Sequence, residues 1–117
     1  MVMLGLLFCT GVLAQTTQGI SGLVTDSSGA IVPKVKILVH NEKTGVDKRT
    51  ETSAMGVYSV PFLDPGLYEV HAEAMGFASV IKTNITLQTG ETASVNFALQ
   101  PGNVSQAITV NASAEIH

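Results

Sequence analysis

The chain has 117 residues, room for one domain of ordinary size built from a single pair of packed layers, and not for a second. Six Lys and Arg against nine Asp and Glu give a formal net charge of −3, so the basic field that gathers nucleic-acid phosphates is absent and nucleic acid is not an expected partner. Cys9 is the single cysteine; it cannot form an intrachain disulfide, and no disulfide-linked partner is expected, because Cys9 lies in a segment expected to be removed.

That segment is "MVMLGLLFCTGVLAQ". Its apolar run, Val2 to Ala14, is too short to cross a bilayer as a helix and ends in small residues, which predicts a signal peptide over 1–14 with Gln15 as the new N-terminus. No Lys or Arg precedes the run. Phe8 stands directly before Cys9, where lipoprotein processing wants a small residue, so a lipid anchor is not expected.

From Gln18 onward short β-branched and apolar runs at period two alternate with Gly, Pro, Asn or Asp clusters. The runs are 19–25, 35–41, 46–53, 56–63, 67–75, 77–87, 92–100 and 105–112, and none carries a helical stripe. They predict an all-β fold of seven or eight strands, an antiparallel sandwich or barrel over 18–101, with 102–117 as a C-terminal strand or linker tail. Between the runs, "DSSGA" suits an Asx turn, "KTGV" a short hairpin, "DPGL" a type II turn joining a hairpin, and "QTGE" a further turn.

Alternation assigns the faces. Val35, Ile37 and Val39; Tyr68, Val70, Ala72 and Ala74; Phe77, Ile81, Ile85 and Leu87; and Val95, Phe97 and Leu99 form the expected core. Lys36, His40, Glu69, His71, Glu73, Lys82, Asn84, Thr86, Ser94 and Asn96 fall on the opposite, wet parity.

Within "LYEVHAEAM", Glu69, His71 and Glu73 point to one side of a strand, ~7 Å from one to the next. A His between carboxylates could hold a divalent metal if another strand supplied a further ligand, but His40 and His117 do not obviously do so, and a solvated face is the expectation. No catalytic, cofactor-binding or metal residue is assigned: "GISGL" is not a Gly-x-Ser-x-Gly elbow, no cysteine nucleophile survives signal removal, and no phosphate-cradling glycine loop opens a helix. An intramolecular Lys36–Asn96 isopeptide bond would require both residues in the core, and both sit on the wet parity. Asn84, Asn103 and Asn111 head Asn-x-Ser/Thr triplets, read as surface polarity. Carbohydrate binding would use exposed aromatics as stacking platforms; there is no Trp, and Tyr58, Phe62, Tyr68 and Phe77 mostly fall on core positions or strand ends.

Taken together, "GISGLVTDSSGAIVPKVKILVHNEKTG", "TSAMGVYSVPFLDPGLYEVHAEAMGF" and "ETASVNFALQPG" resemble the carboxypeptidase regulatory-like domain over about Gly19 to Pro101, which implies a transthyretin-like, seven- to eight-stranded antiparallel Greek-key sandwich in place of a barrel. The resemblance is carried by Gly22, Val24, Asp26, Gly29, Gly56, Tyr58, Pro65, Gly66, Tyr68, Gly76 and Phe77. It implies glycines in turns, aromatic anchors at Tyr58, Tyr68 and Phe77, a Pro-Gly hairpin, and no catalytic residues. The chain departs from the family at "VPKVKI", where Lys34 stands in a place usually taken by Gly.

A signal peptide, this domain and a tail such as "NVSQAITVNASAEIH" also resemble the start of Oar-like, TonB-dependent receptors of gram-negative bacteria. That implies a non-enzymatic exported accessory module whose partner is another protein or the remainder of such a receptor, in the periplasm or outer membrane, or else secreted. The barrel's many ten-residue strands do not fit in 117 residues, so a fragment, a truncated form or a stand-alone secreted relative is expected. The alternative is a carbohydrate-binding module.

Overall fold

A computed structural model describes residues 18–112; the expected signal peptide lies outside them. The strands are β1 (Gln18–Asp26), β2 (Lys36–Asn41), β3 (Asp47–Glu51), β4 (Val57–Leu63), β5 (Gly66–Glu73), β6 (Ser79–Leu87), β7 (Thr92–Ser94), β8 (Phe97–Leu99) and β9 (Ala107–Asn111). They form two sheets, one ordered β3-β2-β5-β6-β9 and one in which β1 lies between β4 and the β7/β8 pair. The all-β sandwich is as expected. Pairing is mixed, however: β1 runs parallel to β7 and β8, and β6 parallel to β9, while the other pairs are antiparallel.

The inner faces carry the predicted alternation. Val35, Ile37 and Val39 with Tyr68, Val70 and Ala72 are buried on one side of the core, and Ile20, Val24, Tyr58, Val60, Val95, Phe97 and Leu99 on the side of the facing sheet. Each apolar side chain so buried contributes roughly 1.5–3 kcal/mol, which a chain without disulfides depends on.

β6 departs from the expected parity. Tyr68 pairs with Ile85 but Val70 with Lys82, so Glu69 faces both Thr83 and Asn84 across a bulge, with Asn84 at φ 59°. One extra residue switches the faces. Val80 is therefore in the core in place of Ile81, and Lys82, expected in water, turns inward with Nζ 5.4 Å from the Phe97 ring centroid. Asn accepts a left-handed conformation better than most residues, which is why the bulge falls there.

Two connections also differ from expectation. "DPGL" does not close a hairpin: β4 pairs with β1, β5 with β2 and β6, so Asp64 and Pro65 carry the chain from one sheet to the other. Gly66 accordingly has φ 152°, far from the roughly +80° of a type II turn. The run 92–100 is interrupted into β7 and β8, for a reason found at Gly22 below. The "SQAITVNA" strand, expected in the tail, is the parallel edge strand β9 beside β6.

Candidate functional site

Three places gather polar or aromatic side chains: the outer face of β3-β2-β5, the interruption between β7 and β8, and the corner where β4 passes to β5.

On the outer face, register sets up three rows: Asp47–His40–Glu69, Arg49–Leu38–His71 and Glu51–Lys36–Glu73. Lys36 stands between two carboxylates and His40 between two more, so cross-strand charges alternate in sign. His40 Nδ1 lies 2.6 Å from an Asp47 oxygen, and His71 Nε2 lies 3.1 Å from Glu69 Oε1. The Asp47 bond holds the His40 imidazole above its usual range. The hydrogen bond with His71 lowers the Glu69 carboxyl, while the Glu42 carboxyl is raised by a hydrogen bond of its own with Glu69. Glu69, His71 and Glu73 do share a face, as their spacing predicts. Glu69 and His71 are drawn to each other while Glu73 lies across from Lys36, and among the described residues no three His, Cys, Asp or Glu side chains converge on a metal position. An open groove of about 810 Å³ runs over this face, lined by Lys36, Leu38, Arg49, Glu51, His71 and Glu73.

The interruption between β7 and β8 explains several of the motif positions. In an unbroken parallel ladder the Leu23 N–H would donate to the Val95 carbonyl. Instead it donates to Asn96 Oδ1 at 2.9 Å, and the Val95 carbonyl accepts from the Tyr58 hydroxyl at 2.5 Å. That turned carbonyl crosses Gly22, where a Cβ would sit 1.9 Å from the oxygen. Gly22 is thus required by close approach within a strand and not, as expected, by a turn. Tyr58 is 2 % exposed and packs tilted against Phe97 at 6.4 Å; burial pushes its phenol well above the usual range. Asn96, on the wet parity as predicted, sits in the sheet opposite Lys36, so the isopeptide pair is not assembled.

The remaining motif residues are placed as follows. Asp26 Oδ1 accepts from the Ser28 hydroxyl and the Ser28 and Ala30 N–H groups, bonds that lower its pKa, and Gly29 closes the same Asx turn. Gly56 has φ 75° and lies against Ile31, where a Cβ would be 2.4 Å from Cγ2. Gly76 turns β5 into β6 at φ 88°. Phe77 is only partly buried and packs on the margin of the core, a lesser anchor than expected. Lys34 has φ 59°, the left-handed conformation for which glycine is the ordinary choice.

At the β4–β5 corner, Tyr68 is 2 % exposed and its hydroxyl donates to the Asp64 carbonyl at 2.6 Å, a tyrosine corner across the sheet change. Asn41 Nδ2 donates to the same hydroxyl at 3.1 Å, and its Oδ1 accepts from the N–H groups of Lys43 and Thr44 in the β2–β3 hairpin. Beside this relay lies a cleft of about 210 Å³ whose rim includes Val46, Lys48, Phe62 and Asp64. Phe62 sits in a bulge opposite Gly19 with φ 61° and is 72 % exposed. Phe62 was expected mostly as a core or strand-end residue. The "VPFL" run contains its only signal: with Val60 inward, strict alternation would bury Phe62 and expose Leu63, whereas an inserted bulge does the reverse.

The carboxypeptidase regulatory-like domain model matches residues 19–100. Carboxypeptidase D of Drosophila melanogaster is 35% identical over 91 residues, which are 76% of this chain and 6% of that protein. Among solved structures, the Bacillus anthracis TIE protein aligns with a TM-score of 0.60 at 18% identity, covering 74% of this chain and 17% of its own. A "putative carbohydrate binding protein" of Bacteroides uniformis aligns with a TM-score of 0.59 at 19% identity, covering 72% and 41%. This chain therefore spans less than half the length of each of these relatives, and the structural likenesses concern the fold. Matched over nearly all of its sandwich, the chain belongs to the carboxypeptidase regulatory-like domain family.

Proposed function

We propose that this chain is a non-catalytic, exported β-sandwich module that presents its surface to a partner, carried as the N-terminal extension of a TonB-dependent outer-membrane receptor, in the periplasm or at the outer membrane. The observation that carries the non-catalytic reading is that the tyrosine hydroxyls and the histidines of the described residues are engaged within the sandwich. The Tyr58 and Tyr68 hydroxyls donate to backbone carbonyls, and His40 and His71 lie against neighbouring carboxylates. The membrane context is supported by the apolar segment ending at Ala14 and by relatives that hold the same sandwich as a small share of a longer chain.

An immunoblot of fractionated source cells, with antibodies raised against residues 18–112, tests this context. Reactivity in the outer-membrane fraction, on a polypeptide several times longer than this chain, is expected. Reactivity confined to the cytosol would refute it.

A second reading, a carbohydrate-binding module, is favoured by the exposed Phe62. The likeness to a "putative carbohydrate binding protein" accords with it. The buried rings of Tyr58 and Tyr68 cannot serve as stacking platforms; Phe62 can.

A further inference from the structure

We propose that the corner between the β2–β3 hairpin and the β4–β5 crossing is a binding site for one neutral pyranose ring, with Phe62 as its platform. The proposal rests on the carbohydrate reading above and adds where and how the ring is held.

Phe62 combines two unfavourable features. A bulky side chain at φ 61° costs roughly 1–3 kcal/mol, and its ring stands in water instead of in the core. The bulge turns Leu63 into the core opposite Gln18, and strain of this kind is retained where a side chain has to be aimed. Here the ring is aimed at the rim of the cleft.

The cleft is already shaped. Its two walls come from different sheets: the Tyr68 hydroxyl ties its sheet to Asp64, where the chain leaves β4, at 2.6 Å, and Asn41 holds that hydroxyl within its own sheet at 3.1 Å. A tied cleft orders little on binding. At about 210 Å³ it lies below the ~300–1,000 Å³ of drug-sized sites, so it takes about one ring.

Charge selects the kind of ring. The Lys48 ammonium and the Asp64 carboxylate both line the cleft, and among the described residues neither has a hydrogen-bond or ion-pair partner. Together they carry no net charge, which disfavours an anionic or cationic ligand. A sugar hydroxyl can donate to the carboxylate and accept from the ammonium, while the C–H face of the ring lies on Phe62.

The test is titration of the full chain with cellotetraose, maltotetraose and chitotetraose, followed by calorimetry and backbone NMR. Phe62→Gly is the decisive variant, because glycine adopts φ 61° freely and the fold is kept. Saturable binding of one of these sugars, weakened about tenfold or more by Phe62→Gly and also by Asp64→Asn, is expected. Binding unchanged by Phe62→Gly but lost in Arg49→Ala would overturn the corner site and leave the carbohydrate reading intact at the outer groove. No binding of any of the three sugars by the folded chain would overturn both.

Discussion

The Tyr58 hydroxyl lies 2.5 Å from the Val95 carbonyl oxygen, and that one bond sets the course of the chain where β7 gives way to β8. The carbonyl leaves the ladder to meet the hydroxyl, Asn96 replaces it as the acceptor for Leu23, and only a glycine fits beneath at position 22.

Tyr58→Phe should destabilise the domain by about 1–3 kcal/mol, the cost of a buried carbonyl left without a donor. Gly22→Ala should cost about 3 kcal/mol or more, since a backbone atom and not a flexible side chain stands in the way. Urea denaturation of the two variants measures both. The same burial predicts alkaline lability. The Tyr58 phenol is raised above its ordinary 10.0 in the fold, so its contribution is full below that pH and is lost as pH rises toward the raised value. Tyr58→Phe should flatten this decline.

The pH dependence near neutrality belongs to His40. Its hydrogen bond to Asp47 raises the imidazole above 6.5, and the charges of Asp47, Glu42 and Glu69 act in the same direction. A raised folded pKa means that the stabilisation is complete below 6.5 and fades as pH climbs through the folded value. The stability gap between wild type and His40→Gln should therefore be larger at about pH 5.5 than at about pH 8.5. A gap that widens with pH would reverse the assignment.

Lys34 occupies a left-handed conformation that costs an L-residue roughly 1–2 kcal/mol, while a glycine there would lose about 0.5–1 kcal/mol of chain entropy. Lys34→Gly should accordingly stabilise the domain by about 0.5 kcal/mol. Thermal melts of the pair decide the sign.

The all-β class and most of the core could be read from period-two alternation, because a half-buried strand must alternate; the choice of a two-sheet sandwich over a barrel came from the family resemblance. Asx and hairpin turns were legible for a similar reason: Asp26 and Gly45 have few other roles in such contexts. What alternation cannot register is an inserted residue. The bulge at Asn84 exchanged Ile81 for Val80 and brought Lys82 inward, and the bulge at Phe62 exposed a ring assigned mostly to the interior. Pro65-Gly66 was likewise read as a hairpin, because turn chemistry describes a local reversal and is silent on which sheet receives the next strand. The face that drew attention in the sequence, Glu69, His71 and Glu73, is the charge-matched outer face. The better candidate, Phe62, stood in a strand of unremarkable composition.

Export predicts a defined new terminus. If the segment ending at Ala14 is a signal peptide, expression of the full chain in a gram-negative host should give a periplasmic protein whose N-terminal sequencing begins at Gln15. A cytosolic product that retains Met1 would refute export.

Whether a ligand meets the corner or the charged face is read most directly by mapping backbone amide shifts during titration with the three tetrasaccharides. The corner site predicts shifts concentrated at Val46, Lys48, Phe62 and Asp64, with the amides of Arg49, His71 and Glu73 unmoved. Shifts confined to Arg49, His71 and Glu73, or none at saturating sugar, would contradict it.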